Sequence, residues 1–279
     1  MKHLLLTRLQ GALIGANTIY SDRQQISPNQ LMLDTNLALM DGMSSLTRHG
    51  KYELQDWTEN IFTDIPNPER AMVAMLPLML FFHDDRVKLR EILVNVSHSW
   101  QLDWETCSSA VAIGYIISRS LTESLNSRTI AQLLDEMPNL HPRIFQELST
   151  IERSGDRTSL HQVAQRLAID SHPMITQTVL AIYCFLSTPE DFSLATRRAY
   201  HSQSQSQLTC ALTGILAGAH NSLTGIPLNG YIATQEKEQW LLAAESLLAA
   251  WAGVYQELPS ANSAHSLAVA SPRVIQRRD

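Results

Sequence analysis

Cysteine is scarce in this chain: Cys107, Cys184 and Cys210 are the only three in 279 residues, and no two form a Cys-x-x-Cys pair. That excludes a disulfide framework and a thiolate zinc site. Each cysteine falls in an apolar helical pattern, which suits buried free thiols in a reducing compartment. No Lys/Arg cluster offsets the formal net charge of −6, which argues against a dedicated nucleic-acid surface. Apolar runs are short, and none approaches the roughly 20 residues needed to cross a bilayer. The opening MKHLLLTRLQGALIGA has the outline of a signal peptide, but Arg8 and Gln10 interrupt it and no small-residue cleavage site follows. A cytoplasmic protein without a membrane span is expected. Period-two strands of useful length are missing, as are Asn-Gly or Asp-Gly hairpin signals between alternating runs. No Ser-His-Asp, Walker or Rossmann signature occurs in a usable context.

What the chain does contain is helical periodicity. Apolar residues make up 44% of it and charged residues 17%, the balance of a globular protein long enough to bury a substantial core. Apolar positions recur at intervals of three and four over Leu31–Leu46, Arg70–Phe82, Val87–Val96, Trp104–Leu121 and Ile130–Leu134. The same spacing continues over Leu160–Leu167, Met174–Leu186, Phe192–Ala199, Leu208–Leu223 and Glu236–Val254. Breakers separate these segments: Ile65-Pro66-Asn67-Pro68, Met137-Pro138, Ser154-Gly155-Asp156, His172-Pro173 and Thr188-Pro189. From Pro259 onward periodicity is lost, Ser and Ala accumulate, and Arg273, Arg277 and Arg278 close the chain. The expected organisation is one all-α domain over 1–257 and a flexible tail over 258–279.

The most patterned segment is Leu208 to Ala219. Leu208, Ala211, Leu212, Ile215, Leu216 and Ala219 form one buried stripe of an α-helix. Gly214 and Gly218 remove side chains from a single line on it. Glycine inside a helix costs about 1 kcal/mol relative to alanine, so the pair predicts close approach by another helix or a ligand. Directly before it stands the neutral run Ser202-Gln203-Ser204-Gln205-Ser206-Gln207. Elsewhere, Asp34 and Asp41 lie seven apart and share one helical face, as solvated charges or as a weak cation site. His83-Asp84-Asp85 has the look of a ligand cluster, although aspartate capping of the next helix accounts for it better. His98 with Trp100 and Trp104 could line a pocket, although aromatic residues at that spacing suit a core better.

Thr213-Gly214-Ile215-Leu216-Ala217-Gly218-Ala219, followed by Leu223-Thr224-Gly225-Ile226-Pro227, resembles the C-terminal signature of the ADP-ribosylglycohydrolase family. Arg8-Leu9-Gln10-Gly11-Ala12-Leu13-Ile14-Gly15-Ala16 is similar to the family's opening helix, and Leu33-Asp34-Thr35-Asn36-Leu37-Ala38-Leu39 to its Asp-Asp-Thr helix. Arg70 to Asp85, Ser97-His98, and Asp170 to Phe192 resemble further blocks in the same order, so the likeness runs from about Arg8 to Tyr255. It implies an all-α orthogonal bundle with a central cleft. It also implies hydrolysis of a glycosidic bond to ADP-ribose by a pair of magnesium or manganese ions held chiefly by carboxylates.

The resemblance also locates the departures. The family's Asp-x-Asp-Thr run falls on Gln205-Ser206-Gln207-Leu208, and its Thr-Asp-Asp-Thr run on Met32-Leu33-Asp34-Thr35. Its first-helix Gly-Asp falls near Ile19-Tyr20 and its Gly-Asn-Gly loop near Pro68-Glu69-Arg70. Of four metal-binding carboxylates in the two runs, Asp34 alone remains, and two divalent cations against one carboxylate would leave a large uncompensated charge. The expectation is therefore a pseudoenzyme with no metal and no cofactor. Its vestigial cleft comprises Met32, Leu33, Asp34, Thr35, Gln205, Gln207 and Leu208, and it would bind a protein partner or a small molecule. The alternatives are an active, metal-poor hydrolase with Asp34 as general base, and a scaffold working through its outer surface or tail.

Overall fold

The computed structural model describes residues 2–20, 26–28, 30–62, 66–122, 134–137, 140–154, 159–169, 172–202, 206–227 and 234–254. The expected helix Ile130–Leu134 and the expected tail 258–279 lie almost or wholly outside the described residues. Helix α1 (Lys2–Ala16) leads into a short antiparallel pair, β1 (Thr18–Tyr20) and β2 (Ile26–Pro28), in which Ile19 faces Ser27. Then follow α2 (Gln30–His49), a π-helical turn (Asp56–Asn60), α3 (Pro68–Ala74), α4 (Leu76–Phe81), α5 (Arg86–Ser99) and α6 (Trp104–Thr122). The second half contains α7 (Pro142–Ser154), α8 (Leu160–Leu167), α9 (Pro173–Leu186), α10 (Phe192–Tyr200), α11 (Gln207–Asn221) and α12 (Thr234–Trp251). No helix among the described residues is long and apolar enough to cross a membrane.

Several breakers in the sequence turn out to be helix starts. Asn67 and His172 are N-caps with proline at the first helical position, where a missing N–H costs nothing. Asp85 and Asp191 accept the backbone N–H of Lys88 and Leu194, and Ser159 forms a reciprocal capping box with Gln162. The single helix expected over Arg70–Phe82 is two, because Pro77 cannot donate to the carbonyl one turn back and the chain breaks at Met75. Helix α7 is absent from the sequence expectation, although Ile144, Leu148 and Ile151 at offsets of four and three carry its buried stripe. Trp100 is core, its indole donating to the Trp57 carbonyl at 2.8 Å, but Trp104 is 55% exposed, which corrects the core reading for that residue.

Helix α11 is the axis of the bundle. It is buried along its whole length from Leu208 to Ala219 and packs on α1, α2, α3, α6, α9 and α10. Its approach to α1 is backbone to backbone: a Cβ on Gly214 would sit 2.0 Å from the Gly15 carbonyl oxygen, and one on Gly218 2.0 Å from that of Gly11. The relation is reciprocal, since a Cβ on Gly15 or Gly11 would meet the carbonyls of Gly214 and Gly218. The glycine pair in the sequence thus serves a helix, not a ligand. On another face Thr213 Oγ1 donates to Thr209 O at 2.8 Å and lies 3.4 Å from Ala181 O of α9. Far from this contact, Trp251 Nε1 donates to Asp84 Oδ1 at 3.0 Å and fastens the end of α12 to the turn before α5.

Gly214→Ala is expected to lower the urea midpoint by the equivalent of about 2–3 kcal/mol, although alanine is the better helix former by about 1 kcal/mol. An unchanged or raised midpoint would contradict the close packing. Burial pushes the thiols of Cys184 and Cys210 up to about 12, whereas Cys107 is only partly buried and less displaced. Alkylation of the native protein at pH 8, followed by peptide mass mapping, should therefore label Cys107 before either of the other two.

Candidate functional site: the junction of helices α2, α3 and α11

The two runs that the sequence singled out do meet. Gln207 opens α11 and its Oε1 accepts the backbone N–H of Leu31 in the first turn of α2, at 2.7 Å. Leu31 is one of the amides a helix leaves without an internal partner, so Gln207 acts as an N-terminal cap for a helix distant in sequence. Its own helix is capped by the preceding residue, Ser206, whose Oγ lies 3.5 Å from the Thr209 N–H. Gln205 lies outside the described residues.

The remaining residues of the expected cleft divide between core and solvent. Met32 and Leu208 are fully buried. Thr35 is buried too, and its hydroxyl donates to the Leu31 carbonyl of its own helix at 2.7 Å. Leu33 and Asp34 are exposed; Asp34 Oδ1 accepts from Gln30 Nε2 at 2.7 Å, a contact within one helix turn. Asp41 is exposed as well, in keeping with a solvated charge.

Two residues near which the resemblance puts the family's glycine loop have roles that the sequence did not reveal. Arg70 donates through Nη2 to the Asp34 carbonyl at 3.1 Å, and its guanidinium carbon lies 5.7 Å from the Phe62 ring centroid. Glu69, in the first turn of α3, accepts from Gln177 Nε2 at 2.5 Å, which joins α3 to α9. Gln177 is nearly buried, and its Oε1 has no hydrogen-bond partner. The only sequence signal for this arrangement was the replacement of small residues by a Glu-Arg pair. Side chains therefore tie α2 to α11, α2 to α3, and α3 to α9.

Among the described residues the donor set does not fit a pair of divalent cations. Hard cations require several oxygen ligands, most of them charged. Here the surviving carboxylate of the two runs faces solvent, the amide oxygen of Gln207 is engaged by a peptide N–H, and Met32 and Leu208 present hydrocarbon. Among the described residues no group of three or more His, Cys, Asp or Glu side chains is placed to hold a metal ion.

An all-α bundle built around one buried, glycine-bearing helix, whose N-terminus meets that of α2, defines the structural class. The ADP-ribosylglycohydrolase profile matches residues 7–257, and the chain belongs to that family. In fold it is similar to a solved structure described as an ADP-ribosylglycohydrolase-related protein complex. The two share a TM-score of 0.66 at 14% identity, over 89% of this chain and 99% of the other. No curated protein matches the sequence significantly.

Gln207→Ala removes the acceptor from the Leu31 N–H and should cost about 1 kcal/mol, as loss of a helix cap does. In a domain of this size that is a fall of about 2–4 °C in Tm. Gln207→Glu, which keeps an acceptor oxygen, should recover most of the loss; equal losses in both variants would show that the cap is not the reason.

Proposed function

We propose that this chain is a family member without two-metal glycosidic hydrolysis, and that it serves as a binding protein. The observation that carries this reading is the engagement of Gln207 with the Leu31 N–H. A side chain standing where the resemblance puts a metal-binding aspartate is committed to holding two helices together. An amide satisfies the helix N-terminus without charge, so the joint needs no cation to offset repulsion. The ties made by Arg70 and Glu69 across the same region favour a protein partner at the outer surface over a small ligand in the cleft. That the similar solved structure is described as a complex accords with a role in assembly. The exposed, locally bonded Asp34 gives little support to a metal-poor hydrolase using it as general base.

Addition of millimolar magnesium or manganese should leave Tm unchanged, because a ligand at a hundred times its Kd stabilises the native state by about 2.7 kcal/mol and would be visible. Peptides carrying ADP-ribose on arginine or serine should release none with either the natural chain or Asp34→Ala. A metal-dependent rise in Tm, together with release that Asp34→Ala abolishes, would overturn the proposal.

A further inference from the structure

Away from the cleft, a recess of about 300 Å³ opens where the N-terminal ends of α6, α7 and α9 come together, lined by Glu105, His141, Arg143, Ile169, His172 and Ile175. We propose that this recess is a docking site for a basic side chain, arginine or lysine, of a partner protein.

The ring orientations decide which atoms are available. His141 Nδ1 accepts the Arg143 N–H at 3.2 Å, and His172 Nδ1 accepts the Met174 N–H at 3.4 Å. A ring nitrogen that accepts a peptide N–H carries no proton, so each neutral imidazole has its proton on Nε2. Those Nε2–H groups have no lone pair for a metal, which excludes a histidine-ligated ion in this arrangement. They point at carboxylates instead: His172 Nε2 lies 3.4 Å from Asp103 Oδ2, and His141 Nε2 lies 3.9 Å from Glu105 Oε1, beyond hydrogen-bond range. Asp103 uses Oδ1 to cap α6 through the Thr106 N–H at 2.7 Å and turns Oδ2 to His172, which lines the recess. Both carboxylates therefore keep acceptor capacity.

Between them in sequence stands Trp104, 55% exposed, its ring 4.5 Å from that of His141. Two carboxylates flanking an exposed indole suit a guanidinium or ammonium group, which combines charge-assisted hydrogen bonds with attraction to the ring. Ile169, a lining residue that is 66% exposed, offers apolar surface for the aliphatic stem. Among the described lining residues the permanent cation is Arg143, which lies 3.3 Å from the buried Glu147 carboxylate, itself 2.6 Å from Arg166. Charge complementarity thus favours a cationic over an anionic occupant.

The test uses the full chain and follows tryptophan fluorescence during titration with Nα-acetyl-arginine amide, with Nα-acetyl-glutamate amide as the anionic counterpart. A saturable change in the millimolar range is expected for the arginine probe only, lost in Trp104→Phe and weakened by 0.5 M salt. Glu105→Gln and Asp103→Asn should each weaken it about fivefold or more; asparagine still caps α6, so the second variant keeps the fold. No saturable response, an equal response to the glutamate probe, or undiminished binding in both carboxamide variants would overturn the proposal. None of these outcomes bears on the cleft, whose reading depends on metal response and ADP-ribose release.

Discussion

Everything in this bundle is arranged around a contact that has no side chains in it. Where α1 crosses α11, the pairs Gly11–Gly218 and Gly15–Gly214 bring carbonyl oxygens to positions that a Cβ would need. Such proximity allows Cα–H···O contacts and dense van der Waals packing, at the expense of helix propensity in both partners. It also fixes the direction of the chain. The pairing is antiparallel, so α1 ends level with the first half of α11, and the short β1–β2 pair carries the chain back to begin α2 beside the start of α11. Gln207 lies two turns before Gly214 on the same helical face, which is why its amide meets Leu31.

That meeting point is where the resemblance puts the family's metal-binding carboxylates, and here Gln207 stands in their place. Two helix N-termini with unsatisfied N–H groups require acceptors. Carboxylates would supply them and bring mutual repulsion, which bound cations would then have to offset. A glutamine oxygen at 2.7 Å supplies the acceptor alone. The Arg70 bond to the Asp34 carbonyl and the Glu69–Gln177 bond brace the same region.

The exposed face near Trp104 follows from capping of another kind. His141 and His172 both stand before proline and turn a ring nitrogen back onto the helix they introduce. With Nδ1 so occupied, the other edge of each ring is aimed toward Asp103 and Glu105, and a recess is left between three helix starts. Polar groups that serve the fold on one side thereby define the chemistry of the surface on the other.

Read alone, the sequence determined the helical class, the positions of most helices and the close approach implied by Gly214 and Gly218. These are local properties: periodicity, caps and glycine spacing act within a few residues. It also marked Gln207, Leu208, Met32 and Asp34 as departures from an acidic site, because a missing carboxylate is visible without coordinates. Only the tertiary structure decided what took its place. The Gln207–Leu31 bond spans 176 residues and the Glu69–Gln177 bond 108, and no pattern in one segment encodes the reach of a side chain into another. The same holds for Trp104, which shares its spacing with the buried Trp100 yet faces solvent. Burial is a relation between elements, and the packing of α6 against its neighbours sets it.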